Sequence, residues 1–124
     1  MRIGKLLISS GIAATLASLA VKAFGRVEVV GDSMTPALEP GDRLLLVAVR
    51  PRVGDVVAVR DPRAAERVLV KRVSRIAVDG VTVLGDNASA STDSRTFGPV
   101  PSRSVEGVAW YRYAPAHRAG RLQR

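Results

Sequence analysis

Acyl transfer at an amide needs a nucleophile and a base, and a serine hydroxyl beside an uncharged lysine amine supplies both. In this 124-residue sequence the candidates are Ser33 as nucleophile and Lys71 as general base. Ser33 stands in Gly31-Asp32-Ser33-Met34-Thr35-Pro36, directly after an expected strand, where a turn would present its hydroxyl. A serine in such a run is ordinarily a turn former without a chemical role. Lys71 lies in the middle of Val68-Leu69-Val70-Lys71-Arg72-Val73, and strand alternation puts it on the same face as Leu69 and Val73. That face is apolar, so burial of Lys71 is expected, which disfavours the ammonium and lowers its pKa. A lysine that snorkels out past an edge strand fits the same pattern, and the residues alone leave both readings open.

Other chemistries are thinly provided for. There is no cysteine, which removes thiolate nucleophiles, disulfides and cysteine-based zinc sites. The single histidine, His117, falls in a basic tail, so a Ser-His-Asp triad would need that tail to fold back over Ser33. Without clustered His or Cys, no metal or other cofactor is expected, and Asp86 with Asp93 makes a poor metal pair. The formal net charge of +8 raises nucleic acid or an anionic membrane surface as a partner. The arginines are scattered, however, and no stacking aromatics interleave them. That argues against nucleic acid and for a solvated or lipid-facing surface.

The elements that must position these residues are read from periodicity. Short runs of β-branched and aliphatic residues predict strands over residues 27–30, 44–49, 55–59, 68–76, 81–84 and 105–113. Pro40-Gly41-Asp42, Asp61-Pro62, Asp79-Gly80 and Gly85-Asp86-Asn87 punctuate them. Strands this close, without helices between them, imply an all-β antiparallel or mixed, barrel-like fold. Asp86 reads as a backbone cap of its turn, and Trp110, Tyr111 and Tyr113 as parts of a last strand packed on the core. Residues 1–25 are different: Arg2 and Lys5 precede an apolar stretch over residues 6–21, which Lys22 interrupts. This is short against the roughly 20 residues of a membrane span, although a terminal lysine can snorkel. A single membrane anchor is the first reading, with a cleaved secretory signal or a soluble-domain helix as alternatives. Lys22 and Arg26 offset Arg2 and Lys5, so the orientation is undefined. The expected organisation is an apolar helix over 1–25, a β-rich domain over 26–113 and a loose basic tail over 114–124.

Four blocks, in order and compatibly spaced, resemble those of type I signal peptidases. Ser33-Met34-Thr35-Pro36-Ala37-Leu38 with Gly41-Asp42 is similar to the family's nucleophile block, and Gly54-Asp55-Val56-Val57 to its next strand. Lys71-Arg72-Val73 resembles the general-base block. Gly85-Asp86-Asn87, Ser91, Asp93-Ser94-Arg95 and Gly98-Pro99-Val100-Pro101 resemble the block that closes the site. The resemblance implies a compact, mainly β catalytic domain, barrel or sheet, tethered to the cytoplasmic membrane by a single N-terminal apolar helix. It implies that Ser33 attacks the scissile carbonyl, that Lys71 takes its proton, and that Ser91 orients the lysine amine. Asp93 and Arg95 would form a structural ion pair, while Met34 and Pro36 would shape the site. The backbone N–H of Ser33 would serve the oxyanion. The family's extra hydroxyl two residues earlier is replaced here by Gly31, so a second donor would be backbone or water. Ala37 stands where the family commonly has threonine.

The short chain, with Trp110-Tyr111-Arg112-Tyr113 and its basic ending, resembles most the small actinobacterial members that mature nickel-type superoxide dismutase. The partner would then be a precursor protein or leader peptide at a membrane. Lacking cysteines and all but one histidine, the chain would be the protease and not the nickel binder. A general secretory signal peptidase is the alternative within the family. Outside it stand a catalytically inert membrane-anchored binding module and a self-cleaving repressor. The repressor would need a DNA-binding domain, for which residues 1–25 are too short and too apolar.

Overall fold

The run Val56-Val57-Ala58-Val59 has no polar face, and a strand of that kind must be covered on both sides. In the computed structural model, which describes residues 24–124, all four side chains are buried. The strands are β1 (Phe24–Glu28), β2 (Arg43–Val47), β3 (Val56–Asp61), β4 (Ala64–Ala77), β5 (Gly80–Leu84), β6 (Val105–Ala114) and β7 (Gly120–Arg121). They form one sheet in the order β1-β2-β6-β3-β4-β5, with β7 added to β6 and every strand pairing antiparallel. Val56 and Ala58 of β3 join Met34, Leu38, Leu44 and Ala109 in one apolar cluster. Val57 and Val59, pointing the other way, join Val73, Val81, Val83 and Val100 in a second. The core therefore lies on both faces of the sheet and is built of aliphatic residues, as the composition requires.

All six expected strands are present, and the sheet is mainly β as anticipated. Among the described residues it is an open sheet with β1 and β5 at its edges, not a closed barrel. The one α-helix among the described residues is α1 (Ser94–Phe97). No helix among them is long and apolar enough to cross a membrane. Of the anchor expected over residues 1–25, residues 1–23 lie outside the described residues. Phe24 and Gly25, placed by expectation at its end, instead open β1, where they pair with Val47 and Leu46.

Residues 114–124 differ from the loose tail expected of a basic segment. They form a 3-10 turn (Ala116–Arg118) and then β7, and Leu122 packs against the first cluster. The reason is tertiary: Arg118 Nη2 lies 2.9 Å from Asp42 and Arg124 Nε 2.7 Å from Asp55, both aspartates being buried. Charges that repel along the chain find partners across the fold. Trp110 is half-buried on β6 with the Arg121 guanidinium over its ring, as the packed-strand reading expected.

Candidate active site

The segment between β1 and β2 is drawn into a closed loop by two backbone bonds, Val29 N–H to the Asp42 carbonyl and Gly41 N–H to the Val29 carbonyl, both 2.8 Å. Inside it Met34 and Leu38 are fully buried in the first cluster. These two plugs hold the loop down and leave Ser33, one residue before Met34, half-buried at the surface. Gly31 supplies the positive φ of 83° on which the chain turns into Ser33. Pro36, exposed, follows a cis Thr35-Pro36 bond. Thr35 Oγ1 donates to the Asp32 carbonyl at 3.0 Å. Among the described residues neither the hydroxyl nor the N–H of Ser33 has a hydrogen-bond partner, so both can meet a substrate.

Lys71 sits in β4 opposite Val57, only 4% exposed, with Leu69 and Val73 on its face as alternation required. Its Nζ donates to Ser91 Oγ at 3.0 Å. Ser91 in turn donates to Asp93 Oδ2 at 2.5 Å. The buried Asp93 carboxylate also accepts Gly85 N–H at 2.8 Å and Arg95 Nη2 at 2.6 Å, and it caps α1 through Arg95 N–H. Burial acts to raise the Asp93 carboxyl, but hydrogen bonds from Arg95, Gly85 and Ser91 outweigh it and hold it well below the usual carboxylate range. Asp93 thus stays charged, oriented and saturated with donors. Burial likewise pushes the Lys71 amine below the ordinary lysine value, and Arg63 and Arg95 reinforce this against the opposing pull of Asp93.

The two halves meet at Gly85. A Cβ there would come within 2.7 Å of the Ser33 carbonyl oxygen and closer still to Ser91 Oγ, so only glycine allows the contact. The next two residues complete the joint. Asn87 N–H donates to the Ser33 carbonyl at 2.8 Å, and its amide bonds Thr35 Oγ1 at 3.0 Å. In the sequence Asn87 belonged to a turn and to the block resembling the one that closes the site, but its fastening of the Ser33 loop was not visible, because Ser33 and Thr35 lie more than fifty positions away. Asp86 does not cap backbone as expected. Its carboxylate pairs with Arg72, at 2.9 Å to both Nε and Nη2, because the sheet brings that guanidinium alongside it.

Ser33 and Lys71 line one cleft of 390 Å³ together with Glu28, Val30, Val68 and Leu69. A larger cleft of 540 Å³, walled by Arg50, Arg52, Trp110 and Arg121, contains neither. It offers no nucleophile paired with a base. His117 is exposed on the 3-10 turn (Ala116–Arg118) and does not line the Ser33 cleft. Among the described residues no group of His, Cys, Asp or Glu is arranged to hold a metal.

Comparison with known proteins points the same way as the geometry. Residues 2–83 and 74–114 match the family described as signal peptidase, peptidase S26. A mitochondrial ATP-independent inner membrane protease subunit 1a of Arabidopsis thaliana is 36% identical over 123 residues, covering 77% of this chain and 73% of the relative. A probable signal peptidase I-1 of Synechocystis is 28% identical, covering 76% and 73%. Mitochondrial inner membrane protease subunit 2 of Schizosaccharomyces pombe is 33% identical, covering 82% and 70%. With a family match over most of its length and a buried lysine sharing a cleft with a presented serine, the chain belongs to the signal peptidase family, peptidase S26, whose members are serine endopeptidases.

Proposed function

We propose that this protein removes an N-terminal leader from a precursor protein at a membrane by Ser33/Lys71 acyl-enzyme catalysis. The observation that carries the reading is the shared cleft, in which the Ser33 hydroxyl has no hydrogen-bond partner among the described residues and Lys71 is buried with its amine on Ser91. Ser33 Oγ attacks the scissile carbonyl carbon while its proton passes to the uncharged Lys71 Nζ. The oxyanion is met by the Ser33 N–H, which has no acceptor among the described residues. On collapse Lys71 returns the proton to the departing amine, and water then hydrolyses the ester with Lys71 again as base. Ser91 holds the amine, and Asp93 with Arg95 holds Ser91.

The substrate lies extended. Pairing of β4 with β5 begins only at Arg72, so the edge of β4 before it is unclaimed by the sheet, and β1 is an edge strand across the cleft. A peptide entering beside Ser33 adds as a strand, with small side chains just before the cut. Ser91→Ala leaves the amine unguided. A misplacement of about 1 Å can cost roughly 100-fold, and a loss of that order in kcat at little-changed KM is expected, measured by precursor cleavage kinetics.

The precursor of a nickel-type superoxide dismutase is the substrate we favour, on the likeness of the compact chain and its Trp110-Tyr111-Arg112-Tyr113 ending to maturation proteases. A secretory leader is the second reading, favoured by the likeness to a probable signal peptidase I-1. Residues 1–23, with their apolar run, would anchor the enzyme in the cytoplasmic membrane. Incubating the full chain in detergent with each precursor separates these readings by the new N-terminus formed. Cleavage of the secretory precursor alone removes the maturation reading. Cleavage of neither favours an inert binding module.

A further inference from the structure

Among the described residues Ser33 and Lys71 share no hydrogen bond, so their spacing must be set by whatever holds the nucleophile loop and the base strand. Residues 85–91 join them directly, through Asn87 on the Ser33 loop and Ser91 on Lys71, and a second stretch of chain reaches both from the other side. Arg112 of β6 donates from Nη1 to the Ala37 carbonyl and to Asp42 Oδ2, each at 3.1 Å. Arg118 donates to the same oxygen at 2.9 Å and pairs with Glu39 at 2.8 Å. The two arginines are themselves joined, Arg112 Nε donating to the Arg118 carbonyl at 2.6 Å. Asp42 is 2% exposed and also accepts Glu39 N–H at 2.9 Å, so this carboxylate closes the Ser33 loop from inside while two guanidinium groups grip it from outside. Five residues further on, the carbonyl of Gln123 accepts Arg72 Nη1 at 2.9 Å. Arg72 is the residue next to Lys71.

We propose that residues 112–123 act as a positioning clamp that sets the spacing of nucleophile and base, with Arg118 on Asp42 as its grip on the Ser33 loop. The inference rests on the Ser33/Lys71 reading. A stabilising tail could dock anywhere on the sheet. These contacts fall on positions 37, 39 and 42 of the nucleophile loop and on the neighbour of the base. Arg118 reaches Asp42 and Glu39 with separate nitrogens, a fork that a lysine point charge cannot reproduce.

The test is steady-state cleavage by the full chain in detergent, with rates normalised to the folded fraction read by circular dichroism. Arg118→Gln should lower kcat by about tenfold or more with KM changed by less than about twofold, because a misplaced nucleophile spoils the transition state and not substrate docking. Arg118→Lys should recover part of the loss, and Glu39→Gln, which breaks only the exposed half of the fork, should have little effect. The pH midpoint of activity should stay in place, since Arg118 and Asp42 are not among the charges acting on Lys71. A merely structural tail would lower the folded fraction and leave the normalised kcat alone. If Arg118→Gln does not fold, Asp42→Asn keeps the Glu39 bond and reads the same contact. Unchanged normalised kcat in whichever variant folds overturns the clamp. Ser33→Ala run in parallel separates the two failures: if it cleaves, the Ser33/Lys71 reading falls. If it is inactive while Arg118→Gln is fully active, only the clamp falls.

Discussion

Lys71→Arg is expected to be inactive at every accessible pH, with a loss on the order of 10⁴-fold or more, as when a member of a serine protease triad is removed. A guanidinium keeps its proton far above neutrality and cannot accept one from Ser33. On the proposed mechanism the active form carries the uncharged amine, so activity should rise with pH through a single ionisation and be lost as pH falls below it. Burial, helped by Arg63 and Arg95, places that ionisation below the ordinary lysine value. The same burial has a cost in stability. The cost is full below the folded-state pKa and shrinks as pH rises from there, because the unfolded chain still holds the proton that the folded one has released; it is gone above the ordinary lysine pKa. Lys71→Met should accordingly be inactive yet at least as stable at neutral pH, which thermal unfolding across pH would read. An active Lys71→Arg enzyme would falsify the Ser33/Lys71 mechanism and return the search for a base to His117.

Ser33→Ala is expected to abolish cleavage, by roughly 10⁴- to 10⁶-fold in kcat, while leaving fold and precursor binding in place. The hydroxyl is half-exposed and makes no hydrogen bond among the described residues, so its removal should cost no more than about 0.5 kcal/mol of stability. On the proposed reading the precursor is held mainly along the edges of β1 and β4, which the substitution leaves in place, and the cleft wall loses only the Ser33 hydroxyl. The measurable outcome is a variant that co-elutes with uncleaved precursor in size-exclusion chromatography. A Ser33→Ala protein that still releases leader peptide would mean that the nucleophile lies elsewhere.

The sequence alone determined what depends on neighbours in the chain. Alternation put Lys71 on an apolar face, because a strand has one period, while its burial in place of snorkelling past the edge was decided by the fold. The six strands were legible for the same reason, and the Asp93-Arg95 pair, implied by the family resemblance, forms between positions two apart. An apolar N-terminal helix over 1–25 is an expectation from the sequence; residues 1–23 lie outside those the structure describes, and Phe24 and Gly25 proved to be strand.

Only the tertiary structure decided what depends on partners far along the chain. The basic ending looks self-repelling in sequence and is ordered in the fold because Asp42 and Asp55 wait for it, 76 and 69 positions away from Arg118 and Arg124. Asp86 and Asn87 sit in one turn, yet one pairs with Arg72 and the other fastens the Ser33 loop. Gly85 carries a turn signal in the sequence, but the reason it must be glycine is tertiary: Ser33 and Ser91 close on it from two sides. Periodicity reports which side of a strand is covered. Which charge meets which, and how near the loops approach, is settled only when the sheet has brought distant segments together.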